Sequence, residues 1–83
     1  MAEQYQLFHY DSCFFCGRVR SFIEATGLEI PYRNIHQDRS AHQELLAGGG
    51  RSTVPCLRIE DDDGVRWMYE SLDIINYLRE QAA

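Results

Sequence analysis

The sequence contains no lysine and no apolar run long enough to span a bilayer. Residues 1–6 also lack the basic segment followed by an apolar one that marks a secretory signal. Nucleic-acid binding needs a clustered basic face, whereas residues 1–58 carry six acidic side chains and six arginines, and residues 59–83 carry the whole net charge of −5. We therefore expect a cytoplasmic protein that binds neither a membrane nor nucleic acid.

Cysteine is scarce: the chain has three, and three cysteines do not make a disulfide framework. In a reducing compartment, a close pair of cysteines is more often catalytic or metal-binding than structural. The 83 residues suffice for one domain with a thin core, and a hydrophobic content of 45% excludes a disordered chain. We expect a single domain over residues 1–83 that acts as a monomer.

The first part of the chain has the pattern of a βαβ unit. Residues 5–9 are rich in aromatic side chains, which is typical of a strand. Asp11 and Ser12 are good N-cap types, so a helix should begin around Cys13. Residues 29–35 should form a second strand. A strand, a helix and a strand within about thirty residues predict two parallel neighbouring strands.

The rest of the chain predicts a helix, a hairpin and a final helix. Residues 40–47 form a short helix whose leucines, Leu45 and Leu46, should face inward. Two further strands, at residues 54–59 and 65–69, are joined by a tight turn. The predicted order is therefore β-α-β-α-β-β-α, an α/β fold. The last helix should bury one stripe, formed by Leu72, Ile75 and Leu78.

Residues 11–16, with the sequence DSCFFC, hold two thiols three positions apart. Cys13 falls at a predicted helix N-terminus, where unpaired backbone N–H groups and the helix dipole stabilise the thiolate that attacks disulfides. Cys16 lies one turn further along and is close enough to attack a mixed disulfide on Cys13. A Cys-x-x-Cys motif beside a βαβ unit is the thioredoxin-like redox signature. We therefore predict that Cys13 and Cys16 are catalytic.

Metal binding and an inert buried pair are the alternatives to redox chemistry for these cysteines. A zinc site requires further ligands, and the candidates, Cys56, His9, His36 and His42, have no helpful spacing. An inert buried pair is the other alternative, but a helix cap is an exposed place for it. The pattern favours redox chemistry without a bound metal. Cys56 is either a third redox thiol or, as its strand position favours, a small buried side chain.

Three motifs follow one another along the chain: CFFC at residues 13–16, TVP at residues 53–55 and YES at residues 69–71. In order and spacing they resemble the glutaredoxin family over essentially the whole chain. The resemblance implies one glutaredoxin-like domain with a thioredoxin-like fold, in which a four-stranded mixed sheet is flanked by three helices. It also implies a glutathione-dependent thiol–disulfide oxidoreductase of electron transport. Its partners are then glutathione, as co-substrate, and disulfide-bonded or glutathionylated proteins.

The resemblance assigns a role to each motif. Cys13 attacks the substrate, and Cys16 or glutathione resolves the mixed disulfide. A cis proline after Val54 turns the backbone of Val54 toward a bound cysteinyl residue. Ser71 and Glu70 hold the γ-glutamyl end of glutathione at a helix N-terminus. The implied glutathione-binding residues are Tyr10, Phe15, Thr53, Val54, Pro55, Glu70 and Ser71.

The sequence departs from the family in two places. Tyr10 stands where many glutaredoxins have a lysine that attracts the glycine carboxylate of glutathione. Arg18, Arg39 and Arg51 are candidates for that role, and the sequence does not choose between them. Inside the CFFC motif, two phenylalanines replace the commoner proline and tyrosine, which suggests an apolar docking surface.

Two alternatives to the oxidoreductase remain open. In the first, Cys13 thiolates from two chains and two glutathiones hold a [2Fe–2S] cluster, as in some glutaredoxins. In the second, the chain is a glutathione-transferase-like glutathione-binding domain, because the pattern YESxxIxxYL over residues 69–78 is similar to the transferase version. The second alternative needs a further helical domain, which we do not expect because the chain ends soon after its third predicted helix.

Overall fold

The computed structural model describes residues 3–82 and confirms the predicted order of strands and helices. The strands are β1 (Gln4–His9), β2 (Tyr32–Asn34), β3 (Cys56–Asp61) and β4 (Gly64–Tyr69). The helices are α1 (Phe14–Thr26), α2 (Arg39–Glu44), which a π-helical turn over Leu45–Gly49 continues, and α3 (Ser71–Ala82). The sheet order is β2-β1-β3-β4, with β1 and β2 parallel and the other neighbours antiparallel. This is the predicted thioredoxin-like fold.

The two faces of the sheet bury two separate clusters, because successive strand residues point to opposite faces. The larger cluster joins the sheet to α1 and α3, and its buried members are Leu7, Val19, Ile23, Ile30, Leu57, Ile59, Ile74 and Leu78. The smaller cluster lies under α2 and consists of Phe8, Ala41, Leu45 and Cys56. Each fully buried large aliphatic side chain contributes about 1.5–3 kcal/mol to folding. The clusters fix the ends of β1 and β3 that carry the site.

The first helix begins differently from the prediction. Cys13 is itself the N-cap of α1, because its sulfur accepts a hydrogen bond from the Cys16 N–H. The carboxylate of Asp11 instead accepts a hydrogen bond from Asn34 Nδ2 at 3.3 Å. The motif therefore places the first cysteine directly on the open end of the helix. It also ties the preceding turn to β2.

Two residues predicted to be buried are exposed. Leu46 is 45% exposed, because the π-helical turn directs Leu45 rather than its neighbour toward the cluster under α2. Leu72 is 59% exposed, because α3 begins at Ser71 and its buried residues start there, one position earlier than predicted. The buried stripe of α3 consists of Ser71, Ile74 and Leu78. Over residues 3–82, no helix is long and apolar enough to cross a membrane.

Glu3 ties the start of the sheet to α3 and β4. Its carboxylate accepts hydrogen bonds from the Tyr77 hydroxyl at 2.5 Å and from the Tyr5 hydroxyl at 2.7 Å. The guanidinium of Arg66 donates to it at 3.1 Å. The two tyrosine hydrogen bonds, helped by the Arg66 charge, hold the pKa of Glu3 below its ordinary value of 4.5.

Replacing Glu3 by glutamine should remove part of the pH dependence of stability. Because the folded pKa is depressed, ionised Glu3 stabilises the fold above pH 4.5, and this contribution is lost as the pH falls through the lower folded value. Urea unfolding between about pH 6 and pH 3 should show the wild type losing stability more steeply than Glu3→Gln. Glu80→Gln, at an exposed position of α3, is the control and should follow the wild type. Parallel curves for wild type and Glu3→Gln would contradict this assignment.

Candidate functional site

The sulfur of Cys13 lies where the N-terminus of α1 meets the loop before β3. Its Sγ accepts a hydrogen bond from the Cys16 N–H at 3.2 Å and lies 3.9 Å from the carbonyl oxygen of Val54. The backbone of Cys13 is held as well, because its N–H donates to the Tyr10 carbonyl and its carbonyl accepts from Gly17. The arrangement therefore holds the Cys13 sulfur at the open end of α1, where a backbone N–H group donates to it.

Cys16 has a different environment, although it belongs to the same motif. Its side chain is fully buried between the sheet and α1. Burial, with a smaller contribution from the hydrogen bond to Cys13, raises the pKa of the Cys16 thiol to about 12. The Cys16 thiol is therefore protonated at neutral pH and attacks poorly from this position. The structure brings both predicted catalytic cysteines together. Both are buried, with Cys13 9% exposed and Cys16 0% exposed, so the expectation that the helix cap is an exposed place was wrong.

A cavity of about 260 Å³ is lined by Val54, whose carbonyl oxygen lies 3.9 Å from the Cys13 sulfur, although Cys13 itself is not part of the lining. Six of the seven residues predicted to bind glutathione line it, namely Phe15, Thr53, Val54, Pro55, Glu70 and Ser71. The peptide bond between Val54 and Pro55 is cis, as the glutaredoxin resemblance implies. The seventh residue, Tyr10, is absent from the lining and stacks on His36 with ring centroids 4.2 Å apart.

The wall formed by Glu70 and Ser71 is the N-terminus of α3. The carbonyl of Glu70 accepts the first hydrogen bond of the helix from the Ile74 N–H, and Ser71 is buried. Glu70 has φ +73°, the left-handed region, which costs a residue other than glycine about 1–2 kcal/mol. The backbone thus holds Glu70 at the rim of the cavity in a conformation that glycine would adopt more easily. The helix N-terminus beside it suits a carboxylate.

The loop that carries Thr53, Val54 and Pro55 is anchored on β4. The Tyr69 hydroxyl donates to the carbonyl of Arg51 at 3.0 Å, and the guanidinium of Arg51 lies 4.1 Å from the centroid of the Tyr69 ring. Closer to α2, a Cβ added at Gly48 would overlap the indole of Trp67, and one added at Gly49 would overlap the hydroxyl of Tyr69. These close approaches fix the loop against the sheet, and so they position the wall of the cavity that Thr53, Val54 and Pro55 form.

Arg20, which the sequence analysis did not single out, stabilises the turn before Cys13, although it lines neither the cavity nor the helix cap itself. Its Nη1 lies 2.8 Å from His9 Nδ1, and its guanidinium also donates to the carbonyls of Tyr10 at 3.5 Å and Asp11 at 3.4 Å. Because arginine only donates, His9 accepts through Nδ1 and carries its proton on Nε2. Burial, followed by the Arg20 charge, lowers the pKa of His9. Arg20 follows Cys16 by four residues, which places both on one face of α1 and was the signal available in the sequence.

The remaining candidates lie outside this cavity. Arg18, Arg39 and Arg51 are absent from its lining. Cys56 is fully buried under α2, and burial raises the pKa of its thiol to about 12, which agrees with a packing role. Within residues 3–82, no group of three or more His, Cys, Asp or Glu side chains is arranged to hold a metal ion. None of these residues therefore adds support for zinc or for a [2Fe–2S] cluster.

Comparison with known families gives one match, over residues 7–83, to the family described as "Glutathione S-transferase, N-terminal domain". Comparison with curated proteins gives no significant match. Among solved structures, the chain is 26% identical to a maleylacetoacetate isomerase from Anaeromyxobacter dehalogenans with bound GSH, at a TM-score of 0.75. That match covers 98% of this chain and 38% of the isomerase, so the chain spans well under half of that protein.

Two more distant structures show the same fold. A sigma-class GST from Fasciola hepatica is 19% identical, with a TM-score of 0.67, and the match covers 96% of this chain and 38% of that protein. A thioredoxin-like protein is 18% identical, with a TM-score of 0.70, and the match covers 96% of this chain and 100% of that protein. The fold therefore occurs both as a whole small protein and as part of longer ones.

Proposed function

The chain belongs to the glutathione S-transferase N-terminal domain family, and from this premise we propose that the cavity beside Cys13 binds glutathione. We further propose that Cys13 exchanges disulfides with the bound glutathione. The observation that carries the proposal is the Cys13 sulfur itself. It caps α1 and lies 3.9 Å from the carbonyl oxygen of Val54, a residue that lines the cavity ending at the N-terminus of α3.

The cavity offers complementary groups for the γ-glutamyl and cysteinyl parts of the glutathione molecule. The α-carboxylate of the γ-glutamyl group would lie at the N-terminus of α3, where the Ser71 hydroxyl and backbone N–H groups can donate. The Glu70 carboxylate would accept from the α-ammonium. The backbone N–H and carbonyl of Val54 would pair with the cysteinyl residue, as an added strand pairs with a sheet edge. Phe15 supplies the apolar wall next to the glutathione sulfur.

The exchange runs in two balanced steps. The Cys13 thiolate attacks the glutathionyl sulfur of a mixed disulfide, forms a Cys13–glutathione disulfide and expels the substrate thiolate, which takes a proton from water. A second glutathione thiolate then attacks the glutathionyl sulfur on Cys13, which releases glutathione disulfide and restores the Cys13 thiolate. The net reaction converts the mixed disulfide and one reduced glutathione into the substrate thiol and glutathione disulfide. This is glutaredoxin-type oxidoreductase chemistry carried on a transferase-family domain.

A second candidate function is glutathione activation of the transferase type, which the family match and the glutathione-bound isomerase favour. In that case the Cys13 thiol would donate a hydrogen bond to the glutathione thiolate and form no disulfide. The thiolate would then attack an electrophile held partly by chain outside this domain. The two candidates share the glutathione cavity and differ in whether Cys13 becomes covalently modified.

One experiment separates the candidates by measuring binding and covalent modification independently. Calorimetry with S-methylglutathione, which cannot exchange, tests the cavity, and intact mass with peptide mapping after exposure to glutathione disulfide tests Cys13. We expect saturable binding and one glutathionyl group on Cys13 that excess glutathione removes. Binding without modification would favour transferase-type activation. The absence of both would contradict the glutathione site.

A further inference from the structure

Two cavities that share no lining residue adjoin Cys13 differently: Val54, whose carbonyl oxygen lies 3.9 Å from the Cys13 sulfur, lines the first, and Cys13 itself lines the second. The first is the glutathione cavity described above. The second, of about 480 Å³, is bounded by the turn over residues 11–13 and by Phe14, Gly17, Arg18 and Ser21 along α1. We call it the α1 groove. A mixed disulfide joins glutathione to a second molecule, here a protein. A site for glutathione alone therefore does not bind the protein half of the substrate.

Two neighbouring aromatic rings line different cavities. Phe15 lines the glutathione cavity, and Phe14 lines the α1 groove. Their rings are 5.3 Å apart and nearly perpendicular, at 82°. Phe14 is 72% exposed and Phe15 is 53% exposed. Because Phe14 and Phe15 line different cavities, each can cover an apolar part of a different half of the same disulfide.

The α1 groove also carries an arginine that is free to bind an anion. Within residues 3–82, the Arg18 guanidinium has no hydrogen-bond, ion-pair or cation–π partner. The acidic residue of the groove, Asp11, accepts a hydrogen bond from Asn34, on the β2 side of the turn. Arg20 is engaged with His9 and two carbonyls. Arg18 is therefore the cation that the groove presents to a ligand.

Building on the proposed function, we propose that the α1 groove binds the protein side of a glutathionylated substrate, as a peptide segment with an acidic residue close to its cysteine. Arg18 pairs with the acidic side chain, and Phe14 covers an apolar side chain or the aliphatic part of the segment. In the exchange step, Cys13 takes the glutathionyl group and the peptide thiolate leaves from this groove. Arg18 and Phe14 thus determine which proteins are reduced.

The test compares glutathionylated peptides that differ only in the residues flanking the cysteine, which are glutamates, serines or lysines. Reduction is followed with glutathione and glutathione reductase. For the wild type, kcat/KM should be about fivefold higher for the glutamate peptide than for the lysine peptide, as one partly exposed ion pair allows. The preference should fall as salt rises. Arg18→Glu should reverse the preference through KM, with little change for the serine peptide.

Matched variants separate the groove from the overall charge and from the glutathione cavity. Arg39→Glu makes the same change in net charge at an exposed position outside the groove, and should keep the wild-type preference. Phe14→Ala should raise KM for all three peptides and leave the affinity for S-methylglutathione unchanged. Phe15→Ala should weaken S-methylglutathione binding.

Several results would overturn the assignment. Equal rates on all three peptides would leave glutathione exchange intact but remove acidic selectivity. An unchanged preference in Arg18→Glu, or a reversal in Arg39→Glu as well, would assign the selectivity to another surface or to net charge. If no peptide is reduced and Cys13 takes up no glutathionyl group, the proposed function fails and the groove assignment fails with it. Because Phe14 and Arg18 are exposed, circular dichroism should show the native fold in their variants.

Discussion

Cys13→Ser should abolish glutathione-dependent reduction of a small mixed disulfide, whereas Cys16→Ser should retain most of it. Removing the attacking sulfur leaves no atom that can accept the glutathionyl group, so we expect a loss of about a thousandfold or more. Cys16 contributes its backbone N–H to the Cys13 sulfur, and serine keeps that donor. Its buried thiol, whose pKa is raised to about 12, is not needed when a second glutathione resolves the mixed disulfide.

The measurement is turnover coupled to glutathione reductase, with intact mass to detect the trapped adduct. Cys16→Ser should remain within about fivefold of the wild type and show the adduct on Cys13 alone. A Cys13→Ser protein that still turns over would move the chemistry to another thiol. If Cys16→Ser is as inactive as Cys13→Ser, the buried thiol must leave its position during turnover to resolve the disulfide.

The fold could be predicted from the sequence because its signals are local and agree with one another. The aromatic strand at residues 5–9 and the tight turn of the hairpin each predict an element that the structure has. Which residues are buried was less predictable where a shift of one position along a helix changes the side chain that faces the core. Leu46 and Leu72 fit a helical stripe by spacing, but the π-helical turn and the start of α3 at Ser71 turn both into solvent.

The site was predictable where a motif is contiguous and less so where packing assembles it. Residues 53–55 and 70–71 line one cavity with Phe15, as the motifs indicate. Tyr10 lies outside it, because stacking on His36 holds its ring elsewhere, and a sequence shows no such pairing. Arg20 was missed because its partners are a histidine ring and two carbonyls from a separate turn, which only the fold brings to it.

The family assignment shows what these motifs do and do not distinguish. A helix-capping cysteine, a loop ending in a cis proline and an acidic residue before a serine-led helix are the features to which we assign glutathione binding beside a sulfur. The resemblance to glutaredoxins rested on these features together with the second cysteine, whereas the family match is to transferase N-terminal domains. The distinguishing property is therefore the fate of the Cys13 sulfur during turnover, which is why covalent modification is the decisive observable.

Glu70 provides a prediction in which binding and stability change in opposite directions. Glu70→Gly and Glu70→Ala both remove the carboxylate proposed to accept from the glutathione ammonium. Each should lower the affinity for S-methylglutathione about ten- to a hundredfold, as losing a charged hydrogen bond does. Because residue 70 has φ +73°, glycine fits its backbone better. The free energy of unfolding of Glu70→Gly should therefore exceed that of the wild type by about 1 kcal/mol, and the variant should unfold at a higher urea concentration. Glu70→Ala should gain no such stability.

Gly27 offers the reciprocal control, since it ends α1 with φ +77° and an added Cβ would meet no atom within 4 Å. Gly27→Ala should lose about 1 kcal/mol of stability and bind S-methylglutathione as the wild type does. Urea unfolding and calorimetry on the same preparations give both quantities. If Glu70→Gly binds with wild-type affinity, another group holds the ammonium. If Glu70→Gly gains no stability, the left-handed backbone conformation at residue 70 costs glutamate no more than it costs glycine.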